Sequence, residues 1–84
     1  MSNKLAIGDI TLTILPNAHL MITGFWNAQI LPFSWLRVEW DDRSISILSN
    51  DVCAQIWSFR DEVATEAARH EIVNFLAGTS TTDV

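Results

Sequence analysis

From Ile10 to Leu15 the chain reads Ile-Thr-Leu-Thr-Ile-Leu, which sets Ile10, Leu12 and Ile14 on one face and Thr11 and Thr13 on the other. Side chains on a strand alternate with a period of two, so this run predicts a half-buried strand. Pro16-Asn17 follows, with proline pre-setting the φ of a type I turn, and His19-Leu20-Met21-Ile22-Thr23 resumes the apolar run. Together they predict a hairpin. Gly24, Asn27 and Pro32 then punctuate the stretch around Phe25-Trp26, predicting a bend or bulge between Gly24 and Pro32.

A longer strand is predicted from Phe33 to Trp40, with Ser34, Leu36, Val38 and Trp40 on one face and Phe33, Trp35, Arg37 and Glu39 on the other. Asp41-Asp42-Arg43 reads as a tight turn into the alternating Ser44-Ile45-Ser46-Ile47-Leu48, and Asn50-Asp51 as a turn into Val52-Cys53-Ala54-Gln55-Ile56-Trp57. The last segment carries two periods, because Val52, Ile56, Phe59, Val63 and Ala67 also recur at helical spacing. Its valine, isoleucine and tryptophan suit a pleated surface, so a strand to Trp57 is predicted.

Ser58 is read as the cap of a helix from Phe59 to Ala77, with Asp61 in an acidic variant of the capping box and Asp61-Glu62 at the positive end of the helix dipole. Ala64, Ala68, Ile72, Phe75 and Leu76 form its packing face, and Glu62, Glu66, Arg69 and His70 the opposite one. Small alanines let a helix lie close to a sheet, Ala68 above all. Gly78 suits a left-handed stop. The expected architecture is therefore α+β: a curved antiparallel β-meander of about five strands, an open sheet or small barrel, with one C-terminal α-helix. Residues 1–78 are expected to form a single domain and 79–84 a disordered tail.

Composition adds a surface problem. The chain has 84 residues, of which 49% are apolar and only 18% charged. A domain this small buries only about 60–65% of its unfolded surface, so neutral or apolar side chains must cover much of the outside. Ten acidic groups oppose five basic ones, for a net charge of −5, which argues against binding nucleic acid or an anionic membrane. The single cysteine, Cys53, excludes an internal disulfide and no Cys/His spacing fits structural zinc. With no secretory h-region or twenty-residue apolar span, a cytoplasmic location is the expectation.

Candidate chemistry is sparse. Cys53, His19 and His70 are the residues eligible for nucleophilic or base roles, and none sits in a recognisable catalytic signature, so Cys53 is read as a small apolar filler and His19 is given no role. Glu66 and His70, one turn apart, make at most half of a metal site and read as a solvated pair. No catalytic residue, cofactor or metal is assigned. Thr82-Asp83-Val84 fits the carboxyl-terminal pattern read by strand-adding peptide domains, and three residues match easily by chance.

The excess lies in tryptophan, at positions 26, 35, 40 and 57. Trp and Arg dominate interface hot spots, so Phe33, Trp35, Arg37, Trp26 and Trp57 are the expected protein-contact residues. The function this supports is a non-enzymatic protein–protein interaction module: an adaptor, an inhibitor or a small subunit of the bacterial or phage accessory kind, binding a protein partner or itself as a homodimer. The competing expectation is a carrier enclosing a small apolar ligand in a Trp-lined cavity.

Overall fold

The computed structural model describes residues 3–24 and 27–80, without the side chains of residues 78–80. Among the described residues seven strands run in chain order, β1 (Lys4–Ile7), β2 (Ile10–Leu15), β3 (His19–Thr23), β4 (Ala28–Pro32), β5 (Leu36–Trp40), β6 (Ser44–Ser49) and β7 (Val52–Ser58), followed by helix α1 (Glu62–Ser80). They form two open antiparallel sheets, ordered β1-β2-β3-β4 and β5-β6-β7. The α+β class, the antiparallel meander and the C-terminal helix agree with the sequence pattern. The strands are more numerous than the expected five because Lys4–Ile7 and Ala28–Pro32, short and interrupted as sequences, each find an antiparallel neighbour.

Turn chemistry sets the registers. Ile7 opposes Ile10, leaving Gly8-Asp9 as a two-residue loop with Gly8 at φ +61. Ser49 opposes Val52, and both loop residues, Asn50 and Asp51, take positive φ (53 and 67), as a type I′ turn requires. Asn and Asp tolerate that region, which lets the pair turn the chain without glycine. Leu15 opposes His19 across Pro16-Asn17-Ala18, so the hairpin expected there forms.

Between Gly24 and Pro32, where a bend or bulge is expected, the chain reverses direction from β3 to β4, and no bulge interrupts the regular strand β4. Phe33 N–H donates to Ala18 O (3.0 Å) and Gly24 N–H to Asn27 O (3.1 Å), one at each end of the β3–β4 pair. Hydrogen-bonded positions alternate in an antiparallel pair, so the nitrogen of Pro32 faces away from β3 and its missing N–H removes no ladder bond. A bulge occurs elsewhere, at Ala54, where the register shifts opposite Ile47 and Leu48. The Ala54 carbonyl accepts a bond from Gln29 Nε2 (3.0 Å), tying the second sheet to β4 of the first.

The core lies between the sheets and the helix. Leu12, Leu20 and Ile22 enter it from the first sheet, Ile45, Ile47 and Trp57 from the second, and Ala68 and Ile72 from α1, which packs on β1 and β6. Burying side chains of this size contributes about 1.5–3 kcal/mol each. The helix begins later than expected: Ser58 still belongs to β7, and Asp61 is the cap, its carboxylate accepting the Ala64 N–H (2.9 Å) while its carbonyl accepts the Thr65 hydroxyl (2.8 Å). The strand's pairing with β6 runs through Ser44↔Ser58 and claims the residue that would have capped. Ala68 and Ile72 are buried and Phe75 and Leu76 pack against the core, as expected, whereas in the first turn Thr65 is buried in place of Ala64, which is exposed. At the far end the helix continues past Gly78 to Ser80, which takes Thr79 and Ser80 out of the expected disordered tail. Residues 81–84, with the Thr82-Asp83-Val84 pattern, lie outside the described residues.

Candidate functional site

The single strand expected from Phe33 to Trp40 is broken in two by a 3₁₀ turn, Phe33–Trp35, that carries the chain from β4 to β5 and so from one sheet to the other. The turn is pinned at both ends, by Phe33 N–H on Ala18 O and by Asn50 N–H on Trp35 O (3.1 Å). Three residues per turn replace the alternation of a strand, so Phe33 and Trp35 no longer share a face. Phe33 turns inward and packs half-buried against the core, whereas Trp35 is left 56% exposed.

Beyond the turn, the register Leu36↔Ser49, Val38↔Ile47, Trp40↔Ile45 places Leu36, Val38 and Trp40 on the core side of the second sheet, as expected, and Arg37 and Glu39 on its outer side. The strand is the edge of that sheet. Lacking a neighbour on one flank, Leu36 and Val38 are only half-buried and Trp40 is 51% exposed. Between this strand and the C-terminal half of α1 runs an open apolar groove of about 420 Å³, lined chiefly by Phe33, Leu36, Val38, Trp40, Val73 and Leu76. The Arg69 guanidinium lies 4.8 Å from the Trp40 ring centre and holds that ring by cation–π attraction at the groove's end.

Charge surrounds the groove. On the outer face Arg37 pairs with Glu39 (2.9 Å) and Asp51 (3.2 Å), all three substantially exposed. Past Trp40, a cleft of about 210 Å³ collects Asp41, Asp42, Glu62 and Glu66 with Arg69. The backbone N–H of Arg43 (2.9 Å) holds the Asp41 carboxyl below the usual carboxylate range, helped by the Ser44 hydroxyl (2.9 Å) and Ser44 N–H (2.8 Å). Among the described residues no group of three or more His, Cys, Asp or Glu could hold a metal ion, and His70 sits 3.7 Å from Glu66 as an exposed pair one helical turn apart.

The structure thus redistributes the five expected contact residues. Trp35 and Arg37 are at the surface beside β5. Phe33 lines the groove from below. Trp57 is withdrawn: it is 8% exposed and donates its indole N–H to Ile7 O (3.2 Å), because its partner Ile45 faces the core and carries it there. Trp26 lies outside the described residues. Cys53, read as a buried filler, is exposed on β7, since the bulge at Ala54 and its pairing with Leu48 turn it to the outer face. Sequence reasoning left Trp40 out of the contact residues, although it is half-exposed beside the groove. Its place at the last position of the strand, next to the Asp41 turn, was the available signal.

No protein-family model, characterised protein or solved structure matches this chain. Among the described residues no helix is long and apolar enough to cross a membrane.

Proposed function

We propose that this chain is a non-enzymatic protein–protein interaction module, an adaptor, inhibitor or small subunit working in the cytoplasm, whose contact surface is β5 with the groove beneath it. One observation carries the reading: two half-exposed tryptophans, Trp35 and Trp40, flank a strand edge that no described strand pairs, above a groove lined by apolar side chains. An open edge offers main-chain hydrogen bonds to a partner strand, and a neighbouring apolar groove takes that strand's side chains. Trp and Arg are the residues that carry binding energy at such surfaces, and Arg37 stands on the outer side of the same strand. The net charge of −5 favours a protein partner over nucleic acid.

A carrier of small apolar ligands is the second reading, favoured by a groove whose volume falls within the range of about 300–1,000 Å³ typical of ligand pockets. The two separate by direct binding with substituted proteins. For the module, Trp35→Ser and Trp40→Ser abolish association with a protein, self or other, whereas Ile30→Ser, at an exposed position on β4, leaves it intact. A wild-type chain that associates with no protein while its tryptophan fluorescence shifts with apolar ligands overturns the module in favour of the carrier.

A further inference from the structure

We propose that the occupant of the β5 edge is the β5 strand of a second copy of this chain, paired antiparallel about Val38. The inference rests on the reading of β5 as the contact strand. Asp41 N–H donates to Ser44 O (3.0 Å) and Asn50 N–H to Trp35 O (3.1 Å), at the two ends of the β5–β6 pair. Hydrogen-bonded positions alternate along an antiparallel pair, so Arg37 and Glu39 turn their backbone groups to β6 and Leu36, Val38 and Trp40 turn theirs to the open flank. The Leu36 N–H is already bound to Phe33 O. What remains outward is the Leu36 carbonyl and both groups of Val38 and Trp40. A second β5 related by a two-fold axis at Val38 meets all of these but the Trp40 carbonyl, which stays with solvent: Val38 bonds Val38 of the copy in both directions, and each Trp40 N–H reaches the other Leu36 carbonyl.

The side chains single out this register. With Val38 on the axis, Arg37 of each chain lies directly opposite Glu39 of the other, at a non-hydrogen-bonded position where Cα atoms approach to about 4.5 Å. A slip of two residues in total pairing sum either way keeps the backbone bonds in phase but sets Arg37 against Arg37, or Glu39 against Glu39. Charges on an edge usually guard it against pairing. Here their signs alternate, so the strand repels slipped copies and accepts the one in register. On the core side the same pairing lays Trp40 against Leu36 of the copy and Val38 against Val38, covering apolar surface that is now half-exposed. Two other edges carry devices that β5 lacks: β4 has Pro32 with its nitrogen facing out, and β7 is bulged at Ala54, whose carbonyl is taken by Gln29.

The test is particle mass by sedimentation over a concentration series. The wild type should pass from one chain to two with rising concentration. Arg37→Glu alone and Glu39→Arg alone should each raise the dissociation constant by about tenfold or more, since each reversal sets two like-charged pairs face to face. Mixed in equal amounts, the two single variants should regain a two-chain particle at wild-type concentrations, because every opposing pair is again of opposite sign. Regained association also proves both variants folded. A wild type that stays a single chain at its solubility limit overturns the self-pairing, and so does a dimer indifferent to both reversals, or single variants that do not complement on mixing. If the self-pairing falls while Trp40→Ser still abolishes binding to a different protein, the module stands with another occupant on β5.

Discussion

Two strands with the same kind of alternation are treated differently by this fold. In β3 the inward residues Leu20 and Ile22 are 0% and 2% exposed, held between β2 and β4 on the flanks and facing the second sheet and helix. In β5 the inward residues Leu36 and Val38 are half-buried and Trp40 is 51% exposed, although they face the same core. The pattern of apolar positions says which face of a strand turns inward. Whether that face is covered depends on the strand's place in the sheet, and β5 is an edge whose inner face borders an open groove against α1. Unused capacity for burial therefore collects at β5.

Truncation should expose the contrast most strongly. Leu20→Ala removes a fully enclosed side chain and should cost about 2–5 kcal/mol, the transfer term plus the cavity left behind. Val38→Ala removes a half-covered one whose loss solvent can fill, and should cost roughly 1 kcal/mol or less in the dissociated chain. Urea titrations of both variants, at concentrations where the wild type is a single chain, measure the difference. Equal losses would mean that β5 is as enclosed as β3.

Much of this was legible from the chain. The alternation Ile10–Leu15, the turn Asn50-Asp51 and the apolar periodicity after Asp61 all correspond to structure, because each is a local rule that tertiary packing only reinforces. What escaped depends on neighbours that no local window contains. Ala28–Pro32 reads as interrupted until β3 pairs with it, and Ser58 reads as a cap until Ser44 claims it for the ladder. The site was half legible for the same reason. Tryptophan excess marked Trp35, but Trp57 has an identical signature and its burial follows from pairing with Ile45, while the exposure of Trp40 follows from its place at the end of an edge strand.

A smaller effect sharpens the comparison on the helix side. Ala68 is 7% exposed where α1 meets the sheets, and Ala64, one turn earlier, is open to solvent. Ala68→Leu should overpack the interface and cost about 1–3 kcal/mol, whereas Ala64→Leu should change stability by less than about 0.5 kcal/mol. Thermal melts of the two variants side by side check which residue of the first turns faces the core. If Ala64→Leu were as damaging as Ala68→Leu, the packing face would include Ala64, as the sequence pattern alone predicts.

The smallest effect concerns the end of β5 itself, where Asp41 accepts bonds from the Arg43 and Ser44 N–H groups and the Ser44 hydroxyl and so closes the turn into β6. These donors favour the ionised carboxylate and hold the Asp41 carboxyl below its ordinary range in the folded chain. The unfolded chain then binds this proton more readily than the folded one, so the contribution to stability is complete above the ordinary aspartate value of about pH 4 and is lost as the pH falls through the lower folded value. The group is fully exposed, so the loss is small and screened by salt. Asp41→Asn should flatten the decline of the urea midpoint below about pH 4 relative to wild type, with little difference between the two slopes near neutrality. Parallel curves throughout would mean that the turn closes equally well without the charge, and that the open end of β5 owes its order to Arg69 on Trp40 rather than to Asp41.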